Sequence, residues 1–144
     1  MIKDNLPFLL VDDNKHDVRI VKRAWRKNKI SSPLMVVPHG QACLDYLRHE
    51  GKYSDEEKYP RPSIILMDIR MPIMDGIECL AAIKADPQLQ LIPVIMLTTS
   101  KEDADRVRSY KLGCNTFVQK PVDFDKLSEA MRTIYLYWTM SELP

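Results

Sequence analysis

Residues 64–76 read IILMDIRMPIMDG: four apolar residues, then Asp68, then a turn bracketed by Pro72 and Gly76. An apolar run this short, closed by turn residues, has the length of a buried strand rather than a helix. The same pattern recurs at 8–11, 34–37, 94–97 and 116–118. Between these runs lie longer segments with helical spacing and no internal proline, at 16–28, 41–49, 76–85, 102–112 and 124 to about 138. The order is strand then helix, five times over. Strands apolar on both faces suit a parallel sheet covered by helices on both sides and joined by right-handed crossovers. The expected fold is therefore α/β: a doubly wound, five-stranded parallel sheet of flavodoxin-like (βα)5 type. Ligands bind such a sheet beyond the carboxyl ends of its strands.

The 144 residues fit one domain, expected to span 1–144 with a core of about 7–138 and no output domain. A chain of this size buries enough surface to need no disulfide or metal staple. With 45% hydrophobic and 28% charged residues it reads as an ordinary globular protein, and Lys+Arg 21 against Asp+Glu 20 does not mark nucleic acid as the main partner. Cys43, Cys79 and Cys114 form no CxxC pair, which points to a reduced, cytoplasmic setting. No basic segment followed by a long apolar run opens the chain, and no stretch reaches the roughly 18 apolar residues of a membrane span. The four glycines, Gly40, Gly51, Gly76 and Gly113, cannot assemble GxGxxG or the phosphate-cradling GxxxxGK[ST] loop, which excludes nucleotide-dependent enzymes of those two kinds. Residues 50–62, EGKYSDEEKYPRP, make an unusually long polar connection, read as a solvated surface insertion or, less simply, a partner contact.

By the strand-end rule, the residues just beyond each apolar run are the candidates for a site. The first run ends in Asp12 and Asp13, the third in Asp68, the fourth in Thr98, Thr99 and Ser100, and the fifth leads to Lys120 and Pro121. One acidic pair alone is ambiguous, because Asp commonly caps the next helix. Three carboxylates meeting at one edge are different: at an effective dielectric of ~20, two of them 4 Å apart repel by about 4 kcal/mol before screening. A cation must join them, and an all-oxygen donor set suits Mg²⁺. Lys120 adds a fixed positive charge and Thr98 a hydroxyl, together a socket for a phosphoryl group on an aspartate.

The segments LLVDDN, ILMDIRMPIMDG, VIMLTTS and FVQKPVD, in that order, make the chain resemble the receiver domains of bacterial response regulators from about Phe8 to Trp138. The long connection after the second helix and the ending close to the fifth resemble the small regulators paired with phytochrome-type kinases. The resemblance implies that Asp68 is the phosphoacceptor, taking its phosphoryl group from a phosphohistidine on a sensor histidine kinase of phytochrome type. It implies a Mg²⁺ site made by Asp12, Asp13, Asp68 and the backbone carbonyl of Arg70, with Thr98 and Lys120 binding phosphoryl oxygens. Thr98 and Phe117 correspond to the receiver switch pair. Arg70 and Ser100, two residues after Asp68 and Thr98, flank the acyl phosphate and influence its lifetime; Ser100 offers no strong base, so self-dephosphorylation is expected to be slow. The Lys120–Pro121 bond is cis in the family.

Plainer readings stand beside these. Phe117 is also an ordinary core position, Asp75 a cap of the third helix, and His16 an exposed first-turn residue rather than a metal ligand. His39 and His49 carry no further signal. On the first helix, Val18, Val21 and Trp25 fall on one face at 100° per residue, and most of Arg19, Lys22, Arg23, Arg26, Lys27 and Lys29 on the other. That cationic face suits solvent first, then kinase docking, then nucleic acid.

The expected activity is that of a phosphoacceptor rather than an enzyme with turnover. A Mg²⁺-dependent phosphatase with an aspartyl nucleophile is the alternative, although such enzymes commonly place a second acid where this chain has Arg70. On the last helix, Phe124, Leu127, Met131, Ile134 and Trp138 form a core stripe, with Leu136, Met140 and Leu143 roughly opposite. Clustered apolar groups left outside suggest an interface. The expectation is a homodimer through helix four, strand five and helix five, with no membrane or nucleic-acid partner; the downstream protein target is not named by the sequence.

Overall fold

The computed structural model describes residues 6–98, 108, 111–113, 116–120 and 123–140, and at 98, 116, 117, 119, 139 and 140 the backbone alone. Five short strands form the sheet: β1 (Phe8–Val11), β2 (Leu34–Val37), β3 (Ile64–Asp68), β4 (Val94–Thr98) and β5 (Thr116–Gln119). All pair in parallel, in the order β2-β1-β3-β4-β5. The register runs straight across, with Leu10 beside Val36 and Leu66, Leu66 beside Ile95, and Ile95 beside Thr116. The helices are α1 (Lys15–Lys27), α2 (Gly40–Arg48), α3 (Gly76–Ala85) and a C-terminal helix, Phe124–Met140. Most of the expected helix at 102–112 lies outside the described residues.

Strand alternation sorts the apolar residues into two half-cores. Leu9, Val11, Ile65, Met67, Val94 and Met96 pack with Cys43, Leu44 and Leu47 of α2 and Ile77, Leu80 and Ile83 of α3. Phe8, Leu10, Ile64, Leu66, Ile95 and Leu97 pack on the opposite side with Val21 and Trp25 of α1 and Leu127, Met131 and Ile134 of the C-terminal helix. The expected core stripe of that last helix is thus in place, with Phe124 and Trp138 partly buried at its ends. The cationic face of α1 is exposed, and part of it rests on the C-terminal helix: Lys27 pairs with Asp125 at 3.2 Å, and the Arg23 guanidinium lies 4.2 Å above the Phe124 ring.

Local chemistry explains where the helices begin. Asn14 caps α1, its Oδ1 accepting from Asp17 N at 3.0 Å. Asp75 caps α3 in a capping box with Glu78, as the sequence led us to expect. His39, which carried no signal, caps α2 by accepting from Ala42 N at 3.1 Å.

The connection at 50–62 corrects the solvated-insertion reading. Residues 54–58 are exposed, but Gly51–Tyr53 forms a 3-10 turn that buries Tyr53 against Tyr46 and Tyr59, with ring centroids 5.0 to 5.7 Å apart. Tyr46 Oη donates to Pro60 O at 2.9 Å, and burial, reinforced by the neighbouring tyrosines, pushes its pKa up to about 12. Polar composition concealed two tyrosines that extend the core. Among the described residues, no helix is long and apolar enough to cross a membrane.

Candidate functional site

Because the strands are parallel and in register, their carboxyl ends share one edge. Asp68 closes β3 beside Leu97, and Thr98 closes β4 beside Gln119, which puts Lys120 one residue beyond. Asp12 and Asp13 come directly after β1. Neither caps α1, since Asn14 does so, and Asp12 instead turns inward with its Oδ1 accepting from Asn14 N at 3.0 Å. The helix start therefore leaves the acidic pair available at the edge.

There the carboxylates of Asp12, Asp13 and Asp68 converge, one oxygen of each lying within 4.8 Å of the others. Asp12 is buried, Asp68 partly buried and Asp13 exposed. The Lys120 ammonium reaches in from β5 to sit 2.9 Å from Asp12 Oδ2, 3.4 Å from Asp17 Oδ2 and 3.9 Å from Asp68 Oδ2. Asp68 Oδ1 accepts from Ile69 N at 2.8 Å, which leaves Oδ2 on the side of the lysine.

Burial pushes the Asp68 carboxyl up to about 6; Lys120 and the Ile69 N–H act against the rise, while Asp12 and Asp17 add to it. Burial by itself would pull Lys120 down, but the Asp68, Asp12 and Asp17 carboxylates outweigh it and hold the group above its ordinary 10.5. The lysine is therefore held as a cation by three carboxylates, and with Asp13 beside them acidic side chains outnumber the one basic group at this edge. Hard oxygen donors with surplus charge and one exposed member have the chemistry of a divalent-cation site.

Backbone hydrogen bonds close the loop that follows Asp68. Gly76 N donates to Ile69 O at 2.8 Å and Gly40 N to Met74 O at 3.0 Å, tying the chain between β3 and α3 back on itself and onto α2. At its tip Met74 N donates to Pro72 O at 2.7 Å across Ile73, whose φ is +68°. That is a γ-turn of the rare, strained form with positive φ at its centre, here a β-branched residue that is 78% exposed.

Of the residues singled out in the sequence, Asp12, Asp13, Asp68 and Lys120 come together. Arg70 is exposed on the loop just beyond Asp68. Thr98 and Phe117 are placed by their backbones at the end of β4 and within β5; their side chains, like Ser100 and Pro121, lie outside the described residues. His16 is exposed, and no histidine joins the carboxylate group among the described residues. Asp17 was not anticipated. Its signal was present: a helix starting at residue 15 puts residue 17 in the first turn, and helical side chains lean toward the N-terminus, here the carboxylate edge.

Comparison with known proteins gives consistent matches. The family model described as "Response regulator receiver domain" matches residues 8–132. The response regulator Rcp1 of Synechocystis sp. is 37% identical over 131 residues, covering 91% of this chain and 87% of the relative. Among solved structures, the phosphorylated cyanobacterial phytochrome response regulator RcpA superposes with a TM-score of 0.88 at 35% identity, covering 97% of this chain and 99% of that one. The Mn²⁺-bound form of Rcp1 gives a TM-score of 0.85 at 36% identity, covering 96% and 99%.

Proposed function

Since the chain belongs to the response regulator receiver domain family of two-component signalling, we propose that it accepts a phosphoryl group on Asp68 from the phosphohistidine of a sensor histidine kinase. The observation that carries this reading is the Asp68 carboxylate itself, partly buried among acids with a lysine ammonium 3.9 Å from its Oδ2. A nucleophile held this way meets a phosphoryl group already flanked by positive charge, and phosphoryl transfer is chiefly a matter of positioning and charge neutralisation.

The donor set fits a divalent cation, because three carboxylate oxygens converge and Asp13 opens to solvent. Asp12, Asp13, Asp68 and the backbone carbonyl of Arg70 would hold Mg²⁺. When bound, it supplies neutralisation and orientation for the phosphoryl oxygens. The rest falls to the chain. An Asp68 oxygen forms the new O–P bond as the P–N bond to the kinase histidine breaks and the imidazole departs. Lys120 donates to a phosphoryl oxygen, and the Thr98 hydroxyl closes on another. Phe117 follows Thr98 and reports the change at the surface of β5. Arg70 and Ser100 flank the acyl phosphate and leave its hydrolysis slow, so the protein acts as a switch rather than an enzyme with turnover. The likeness to phytochrome response regulators supports a phytochrome-type kinase as donor and a cytoplasmic location.

Residues 7–138 act as a single receiver unit. Its output passes through protein contact, including a homodimer built on β5, the C-terminal helix and the segment at 102–112. Leu136 and Tyr137, 37% and 65% exposed, support that face, while the side chain of Met140 and the whole of Leu143 lie outside the described residues. Sedimentation of the Leu136→Glu variant tests the dimer, which should dissociate. Incubation with acetyl phosphate tests the acceptor: a mass gain of about 80 Da, one HPO₃, is expected with Mg²⁺ and not with a chelator. Undiminished labelling of Asp68→Asn would refute it.

A further inference from the structure

The Lys120 ammonium has three N–H donors, and three carboxylates surround it. Asp12 Oδ2 at 2.9 Å and Asp17 Oδ2 at 3.4 Å are within hydrogen-bond reach, while Asp68 Oδ2 at 3.9 Å is just beyond it. We propose that Asp17 is a positioning residue for phosphoryl transfer to Asp68: with Asp12 it holds the Lys120 ammonium between two anchors, so that the remaining N–H faces the oxygen that receives the phosphoryl group. The inference rests on the Asp68 reading and adds to it a residue that no part of that reading uses.

Four features support the role. A lysine head sits on a flexible four-carbon stem, and one anchor leaves it free to swing about that anchor. The second anchor is itself fixed, because Asp17 sits in the first turn of α1, where its N–H is held by the Asn14 cap at 3.0 Å. Asp17 also stands outside the group of three carboxylates that converge as candidate cation ligands. When a cation draws on the charge of Asp12, Asp17 therefore keeps its own for Lys120. The 3.9 Å gap to Asp68 Oδ2 suits the transfer. A phosphoryl oxygen stands out from the carboxylate that bears it and comes within reach of an ammonium held where it now lies. Asp17 thus keeps the lysine in place rather than withdrawing it.

The competing account makes Asp17 a first-turn acid that merely favours the helix dipole. The two separate in the rate of adduct formation on the full chain, followed by intact mass against acetyl phosphate concentration with saturating Mg²⁺. Asp17→Asn should lower the rate at saturating donor about tenfold, the scale of a small misplacement of a catalytic group, and leave the half-saturating donor concentration and the melting temperature nearly unchanged. Asp17→Glu, which keeps the charge, should recover most of the rate. In a Lys120→Gln background, Asp17→Asn should change nothing further. An Asp17→Asn rate within twofold of the unaltered chain overturns the proposal, as does a loss of the same size in both backgrounds. Absence of any adduct on the unaltered chain would instead overturn the Asp68 reading, on which this one stands.

Discussion

The backbone of Gly76 passes so close to the peptide carbonyl of Asp68 that a Cβ at residue 76 would collide with that oxygen and sit 2.9 Å from the Asp68 carbonyl carbon. The obstacle is backbone, so no side-chain rotation relieves it. The first residue of α3 and the last residue of β3 are thereby fixed together, and the loop between them must close as the Gly76 N to Ile69 O bond closes it, at 2.8 Å.

Gly76→Ala tests that closure. In an open helix the change would stabilise by about 1 kcal/mol through propensity. Here the overpacking cost of about 1–3 kcal/mol should exceed that gain, lowering the urea midpoint and slowing phosphorylation of Asp68 together. A variant as stable as the original would show that the loop can yield at no cost.

The raised Asp68 pKa makes stability depend on pH in a definite direction. Between its unfolded value of 3.8 and about 6, the native state holds the proton that the unfolded state has lost. Stability therefore falls as pH rises through that window, by on the order of 3 kcal/mol for a gap of about two pH units. Without added metal, Asp68→Asn should be more stable than the parent at pH 7 by about 1–3 kcal/mol, and the advantage should vanish near pH 4. Urea unfolding at the two pH values measures it, and an equal advantage at both would contradict the assigned cause.

Ile73 carries backbone strain with little packing in return, being 78% exposed at a φ of +68°. Glycine takes positive φ without the Cβ clash that a β-branched residue meets there. Ile73→Gly should raise stability by about 1 kcal/mol, or roughly 2–4 °C in melting temperature for a chain of this size, and a melting temperature that stays the same or falls would contradict the strain.

Tyr53→Ala should cost about 3 kcal/mol in urea unfolding, the usual scale for deleting a buried ring, because its ring packs against both Tyr46 and Tyr59. A loss under about 0.5 kcal/mol, typical of surface positions, would restore the reading of 50–62 as a solvated insertion.

The sheet was legible because each strand is a short apolar run ended by a polar signal, and every strand runs the same way. Reading the strand ends in sequence was then equivalent to reading one edge in space, which is how Asp12, Asp13, Asp68 and Lys120 emerged together. Asp17 escaped because it reaches the site from the first turn of α1 rather than from the end of a strand. The γ-turn at Ile73 had no local signature, since nothing in MPI marks a residue that will take positive φ. Tyr53 was hidden by acids and lysines on either side, whose average polarity masked a single inward ring. Where the sequence left two readings of Asp12, cap or ligand, the answer lay in Asn14, whose side chain took the cap.

The most direct test of the central claim is to trap the acyl phosphate. Borohydride reduces a phosphorylated aspartate to homoserine, and peptide mass spectrometry then locates the altered residue. After incubation with a phosphorylated histidine kinase and Mg²⁺, homoserine is expected at residue 68 and nowhere else. Homoserine at Asp12 or Asp13, or its absence from a chain that has taken up phosphate, would contradict it.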